Sequence, residues 1–333
     1  MVVSTVNGQP RSGKRILLGL VAVCVGLLIA ECMARVFVWV AHGPRMYRYD
    51  PELGFSMWPN LDIWVKSLPH LKAIHIRTDG LGNRITPPPR EPARAETIVL
   101  VGDSFAFGEG VEEDETVAAH LSSHGFHVVN LGVNAYGTHQ EMLSYRRYAD
   151  SHRGHFDWVA VLVYSNDAED VRASVTRLRS RPTALWDGRR LNLEPFQPSL
   201  ADRLIDYSDL FAVYRRYTEG PVILPGDGYE TVAACLAEIR RDASAASVRA
   251  LMLFHDALEP GQAKRYLDAA GRHGVQLVDL SPMLNRWGQK IIADDGVHWN
   301  GQGAALVAKE IVRQIEVSRA GRPPQPPRSP PLS

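Results

Sequence analysis

The stretch "IVLVGDSFAFGEGV", residues 98–111, decides how this chain is read. Ile98–Val101 is a short apolar run bounded by turn residues, the pattern of a strand buried on both faces. Gly102 follows, a residue free of the steric limits on other backbones. Ser104 then stands just past the strand end, where open α/β sheets bind ligands. The plain alternative is a strand end whose serine caps the next helix.

Four more segments share the apolar character of residues 98–101: Val128–Leu131, Trp158–Tyr164, Ala250–Phe254 and Gln276–Leu280. Helix-like stretches alternate with them over Thr116–Ser123, Gln140–Ser151, Tyr229–Ser247, Gly261–His273 and Gly303–Glu316. Such alternation predicts a parallel sheet with helices on both faces. The expected fold class is α/β, a flavodoxin-like, doubly wound three-layer sandwich with a five-stranded parallel sheet, over residues 98–318.

Residues 168–227 break this rhythm and read as an insertion, too long for an ordinary connection. Inside it "ALWDGRRLNL", residues 184–193, predicts a hairpin with Asp187-Gly188 as its two-residue turn. Arg172, Arg177, Arg179, Arg181, Arg189 and Arg190 crowd the same region. They form either a solvated face or a contact with an anionic or polar substrate or a partner. Residues 44–97 are Pro-rich, with Trp58 and Trp64 but no clear period, and predict an irregular segment packed on the domain. Residues 319–333, ending in "RPPQPPRSPPLS", predict a disordered Pro-rich tail.

The chain has 333 residues, 45% of them hydrophobic, enough for one large domain or two small ones. Lys plus Arg is 37 and Asp plus Glu is 37, so the basic excess of a nucleic-acid footprint is missing. Cys24 and Cys32 lie in the apolar N-terminus, which leaves Cys235 alone, a packed core thiol by its neighbours. "SHRGH" spaces His152 and His155 as a pair, but no third ligand is evident, so no metal site is expected.

The N-terminus bears on compartment. Arg11, Lys14 and Arg15 precede an apolar run from Ile16 to Ala30, which resumes after Glu31 and Arg35 through Val40. Residues 1–15 read as a cytoplasmic n-region and residues 16–40 as a signal anchor, a transmembrane helix. The span reaches the roughly 20 residues a bilayer needs if Glu31 and Arg35 lie near an interface or snorkel. "LIAEC" has no small residue just before Cys32, which makes a poor lipoprotein site. An uncleaved anchor is expected, with a cleaved secretory signal or an ordinary buried helix as alternatives. Either membrane reading places the remaining chain outside the cytoplasm.

Near the C-terminus stands "ADDGVHWNGQG", residues 293–303, after the last strand and before the last helix, with Asn300 as its expected N-cap. Asp295 and His298 are three apart, a spacing that lets a carboxylate reach the imidazole of its own turn. A nucleophilic serine needs such a pair: the imidazole takes the hydroxyl proton and the carboxylate fixes its tautomer. Attack on a carbonyl also needs donors for the oxyanion. The loop "NLGVNAYG" after the second strand offers the backbone N–H of Gly132, or else Gly132 is a turn glycine. "YSND" after the third strand offers the amide of Asn166, or else Asn166 is a helix cap or Asx turn. Ser104, Gly132, Asn166 and His298 thus fall after the first, second, third and fifth strands.

These residues resemble the GDSL-type, or SGNH, hydrolases. "GDS" at 102–104 resembles the first block of that family, Gly132 the second, Asn166 in "ND" the third and Asp295-x-x-His298 the fifth. The resemblance extends to "DPELGFSMWPN" and "RTDGLGNR" upstream, and points to a bacterial membrane-anchored or secreted branch found with polysaccharide genes. It spans roughly residues 48–318. Two positions depart from the pattern: Tyr164 stands for the glycine of the third block, and Phe105 for the leucine after the serine.

The resemblance implies a serine esterase with Ser104, His298 and Asp295 as triad. Ser104, Gly132 and Asn166 would form its oxyanion hole. It further implies no cofactor and a small acyl ester as substrate, perhaps an O-acetyl group on a glycan. An O-acyltransferase on the same residues and a non-catalytic glycan-binding or assembly protein are the alternatives. Asp294, beside Asp295, is expected to be an ordinary turn or surface carboxylate.

Overall fold

The computed structural model describes residues 11–66, 71–91, 95–152, 156–176, 179–196, 198–218, 220, 222–256 and 261–320. The chain opens with α1 (Arg11–His42), followed by β1 (Tyr47–Asp50), β2 (Gly54–Met57), β3 (Asp62–Val65) and β4 (Ile74–Arg77). Next come β5 (Thr97–Gly102), α2 (Ser104–Phe107), α3 (Val117–Ser123), β6 (His127–Asn130), α4 (Thr138–His152), β7 (Trp158–Tyr164) and α5 (Asp167–Asp170). The insertion carries β8 (Val175–Thr176), β9 (Arg179–Ser180), β10 (Thr183–Trp186), β11 (Leu191–Glu194), α6 (Leu200–Leu204) and α7 (Asp209–Thr218). The domain closes with α8 (Gly228–Ala245), β12 (Arg249–His255), α9 (Ala263–Arg272), β13 (Leu277–Asp279), α10 (Ser281–Leu284) and α11 (Gly301–Ala320).

Five parallel strands form one sheet in the order β13-β12-β7-β5-β6. Counted along the sheet's own strands this is the doubly wound 2-1-3-4-5 order, which opens a crevice where the order reverses. All seven residues of the central strand β7 are buried. Successive side chains point to opposite faces, so a strand covered on both sides is apolar throughout rather than alternating. Ile98, Leu100, Ala160, Leu162 and Leu253 pack with α3 and α11 on one face. Val99, Val101, Val161, Val163 and Phe254 pack with α4, α8 and α9 on the other. Cys235 lies buried in that second layer, as its neighbours predict.

Residues 44–97 differ from expectation. They are not irregular throughout: β1 with β2, and β3 with β4, form two short antiparallel ladders. Each strand is four residues long, and most of their apolar side chains turn toward the domain, Trp64 of β3 being exposed. Phe55, Met57 and Ile76 cluster with Phe107 and Tyr136. Tyr136 Oη donates to the Phe55 carbonyl at 2.6 Å, and Gln140 Nε2 to the Leu53 carbonyl at 2.7 Å.

The hairpin of the insertion is present, but its turn is longer than expected. Trp186 pairs with Leu191, so the loop is Asp187–Arg190, four residues. Asp187 Oδ1 accepts from the backbone N–H groups of Arg189 and Arg190, an Asx-type closure that the shorter turn would not need. The arginines do not form one patch. Arg189 and Arg190 are exposed at the turn, Arg179 is buried on Asp206, Arg172 holds the Leu224 carbonyl, and Arg177 lies outside the described residues. The two ends of the insertion meet. A Cβ on Gly228 would fall 1.7 Å from the Ala168 carbonyl oxygen, so only glycine allows α8 to start there.

α1 is one helix of 32 residues that begins at Arg11, inside the expected n-region. Residues 1–10 lie outside the described residues. At the other end α11 continues to Ala320, past the expected start of the tail, and residues 321–333 also lie outside.

Candidate active site

β5 delivers Gly102 to the sheet edge, and α2 starts two residues later at Ser104. Space there is tight: a Cβ on Gly102 would meet Ala106 Cβ at 2.8 Å and the Leu162 carbonyl oxygen at 2.9 Å. Asp103, not Ser104, caps α2, its Oδ1 accepting from Phe105 N–H at 2.9 Å. The helix-cap alternative for Ser104 therefore fails, and its hydroxyl is left for other work. Arg84, buried, donates to the carbonyls of Phe107 and Val111 and holds the far end of α2. The segment before the domain thus supports the turn that carries the serine.

His298 arrives from the opposite end of the chain. Ile292 and Trp299 bridge, and Ala293 N–H donates to the His298 carbonyl at 2.7 Å, so residues 292–299 form a small closed loop. Asn300 caps α11 as expected, accepting from the N–H groups of Gln302 and Gly303. His298 Nε2 lies 2.8 Å from Ser104 Oγ. His298 Nδ1 lies 2.6 Å from Asp295 Oδ2, and Asp295 Oδ1 accepts from the N–H groups of Val297 and His298. Asp294 is exposed.

Electrostatics follow from these bonds. Burial alone would raise the Asp295 carboxyl, but the His298 ring and the two N–H groups outweigh it and hold the group at about 2. Burial disfavours a charged His298, yet the bond to Asp295 and its charge prevail, so the imidazole titrates above its ordinary value. Beneath the site lie three fully buried carboxyls, Asp103, Glu141 and Asp167, all raised by burial.

The oxyanion donors need a correction. Gly132 N–H donates to Asn130 Oδ1 at 2.9 Å and is already committed. Its glycine identity serves packing instead. A Cβ there would sit 2.3 Å from the Phe107 backbone nitrogen, because the loop after β6 presses on α2. Ala135, in the same loop, takes φ 65°, a left-handed conformation uncommon for alanine. Its N–H has no acceptor among the described residues, while its carbonyl is held by Arg181 Nη1 at 3.1 Å. Asn166 stands at the head of α5 but makes no side-chain cap. Its Nδ2 donates to Asp170 Oδ2 at 2.7 Å, and an amide carries a second N–H.

Three further residues at the site escape a reading by motif. Arg181, with a fully buried side chain, binds the Ala173 and Asp170 carbonyls and Gln140 Oε1 as well as Ala135. Asp170 sits 3.8 Å from that guanidinium and orients Asn166. His255, at the end of β12, is wedged between Phe105, Tyr164 and Trp299 at ring distances of 4.3, 4.8 and 4.2 Å. Burial first, and the His298 charge second, keep it neutral. The two departures from the family pattern, Phe105 and Tyr164, are therefore parts of one aromatic packing unit beside His298. For His255 the available sequence signal is "FHD", residues 254–256, at a strand end. Of the "SHRGH" pair, His152 stacks on Tyr148 and His155 lies outside the described residues.

No family model matches the sequence, and no curated protein matches it. Solved structures with a similar chain path include the psychrotrophic esterase EstA from Pseudoalteromonas sp., 11% identical, covering 68% of this chain and 100% of its own, at TM-score 0.41. Another is the acetylxylan esterase Axe2 from Geobacillus stearothermophilus, 13% identical, covering 66% of this chain and 94% of its own, at TM-score 0.37. A third is a protein of the G-D-S-L family from Desulfitobacterium hafniense DCB-2, 12% identical, covering 65% of this chain and 98% of its own, at TM-score 0.35. At this level such likeness concerns the path of the chain and not its chemistry.

Proposed function

We propose that the protein is a serine ester hydrolase of the SGNH type, anchored by α1 with its α/β domain on the extracytoplasmic side. One observation carries the chemistry: the unbroken line from Ser104 Oγ through His298 to Asp295, at 2.8 and 2.6 Å. His298 Nε2 takes the hydroxyl proton as Oγ attacks the ester carbonyl, and Asp295 holds the Nδ1 proton and steadies the imidazolium. The N–H groups of Ser104 and Ala135, with the second amide hydrogen of Asn166, receive the oxyanion. Collapse of the tetrahedral adduct expels the alcohol, which takes the proton from His298. Water then repeats the sequence and frees the acid.

The substrate is a small acyl ester, an O-acetyl group on a glycan by resemblance of the motifs. A fluorophosphonate probe tests the reading. It should label the protein at Ser104, and Ser104→Ala should abolish both labelling and turnover, by on the order of 10⁶. Near-normal turnover in that variant overturns the serine mechanism. Product analysis with a glycan acceptor then separates hydrolysis from acyl transfer.

A further inference from the structure

We propose that the corner between α6 and α7 is seated in the bilayer surface beside α1, so that the insertion meets lipid as well as protein. The inference rests on the reading of α1 as a retained span.

From Gly13 to Ile29 every residue of α1 is exposed and nearly all are apolar. Contact with the domain starts at Ala30, and the half-buried positions Ala30, Glu31, Ala34 and Val38 share one helical face. The exposed stretch rises only about 25 Å. A hydrocarbon core is about 30 Å thick, so its outer edge falls near Glu31 or beyond. A carboxylate at that depth is costly unless protein groups meet it. Here they do. Glu31 accepts from Ser208 Oγ at 2.7 Å and from the Asp209 and Leu210 N–H groups at 3.0 and 3.1 Å, the first turn of α7. One turn on, Arg35 donates to the Tyr207 carbonyl at 2.8 Å. These bonds set Tyr207–Leu210 level with residues 31–35 of α1, at the edge of the lipid.

The side chains of that corner suit the position. Leu200 is 73% exposed and Tyr207 72%, with Leu204 beside them at 38%. In water these are an unpartnered apolar surface. At a headgroup boundary they are covered, and tyrosine is favoured there. The corner is tied to α1 through Tyr207–Leu210, beside the helix's exposed apolar wall, so its occupant is lipid.

The test uses the full chain in vesicles of phosphatidylcholine and phosphatidylglycerol, with Cys24 and Cys32 replaced by alanine. Leu204→Cys, Tyr207→Cys and, on the hairpin turn, Arg189→Cys each carry an environment-sensitive fluorophore. We expect blue-shifted emission at 204 and 207, quenched by spin-labelled lipid and shielded severalfold from iodide, with the reverse at 189. Equal iodide access at all three sites overturns the inference. Shielding at 204 and 207 without lipid quenching also overturns it, because a partner protein or a second copy then covers the corner. The intact mass of the vesicle-bound protein tests the underlying reading separately. Loss of α1 defeats the anchor itself, whereas wet labels on an intact chain defeat only the seating.

Discussion

Arg181 Nη1 donates to the carbonyl of Ala135 at 3.1 Å, and Nη2 of the same side chain faces the Asp170 carboxylate at 3.8 Å. One guanidinium from the insertion therefore fixes both the left-handed loop residue and the carboxylate that aims Asn166. Lysine has the charge but not the planar fork. Arg181→Lys should fold with a lower Tm and lose about tenfold in kcat with KM within a few fold, since misaligned donors act on the transition state. Steady-state kinetics decide it: a change confined to KM would make Arg181 a scaffold residue only.

His298 gives a pH dependence of definite sign. Only the neutral imidazole accepts the Ser104 proton, and its pKa lies above the ordinary value of about 6.5. Activity should therefore rise with pH through a limb above that value. Asp295→Asn removes the bond and charge that do most to raise His298, leaving the burial that lowers it and only the weaker pull of Glu109 and Asp103, so the limb should move to lower pH. The same change cost about 10⁴ in turnover in a serine protease, and at least a tenfold loss is expected here. Asp294→Asn, at an exposed position, should stay within a few fold of the parent. A crippled Asp294→Asn with a healthy Asp295→Asn would reverse the assignment.

Gly132 separates packing from catalysis. Gly132→Ala forces a Cβ against the Phe107 backbone and should lower stability by about 1–3 kcal/mol, as overpacking does. Thermal unfolding measures that directly. An unchanged Tm with a large loss of kcat would instead restore its N–H to the oxyanion hole.

Asn166→Ala should lower turnover by roughly 10²–10³ with little effect on KM, the cost of one oxyanion donor. If Tm falls and kcat does not, the bond to Asp170 is all that Asn166 provides.

The sheet was legible because its inner strands are buried on both faces, as Val159–Val163 show, and such strands announce themselves without any partner. Asp295 and His298 were legible because they stand three apart in one turn, and Ser104 because it follows an apolar strand directly. β1–β4 were not, since four-residue strands acquire a pattern only against Phe107 and Tyr136, far along the sequence. Ala135 was hidden because alanine does not signal a left-handed backbone, whereas Gly132 invited attention that its committed N–H does not support. Arg181 was hidden among arginines that resemble a solvated face, and nothing in residue type marks which of them, Arg179 and Arg181, are buried.

The contact between Gly228 and the Ala168 carbonyl has a consequence for how such a chain can change. Residues 168–227 leave the domain in α5 and rejoin it at the start of α8, so they form a closed excursion between β7 and β12. That excursion carries Arg181, which holds the Ala135 loop, and α7, whose first turn binds Glu31 of α1. A cassette inserted at a single point therefore governs two ends of the molecule at once. Replacing it would alter the Ala135 loop and the contact between the domain and α1 together, while the strand that leads to Ser104 keeps its place in the sheet.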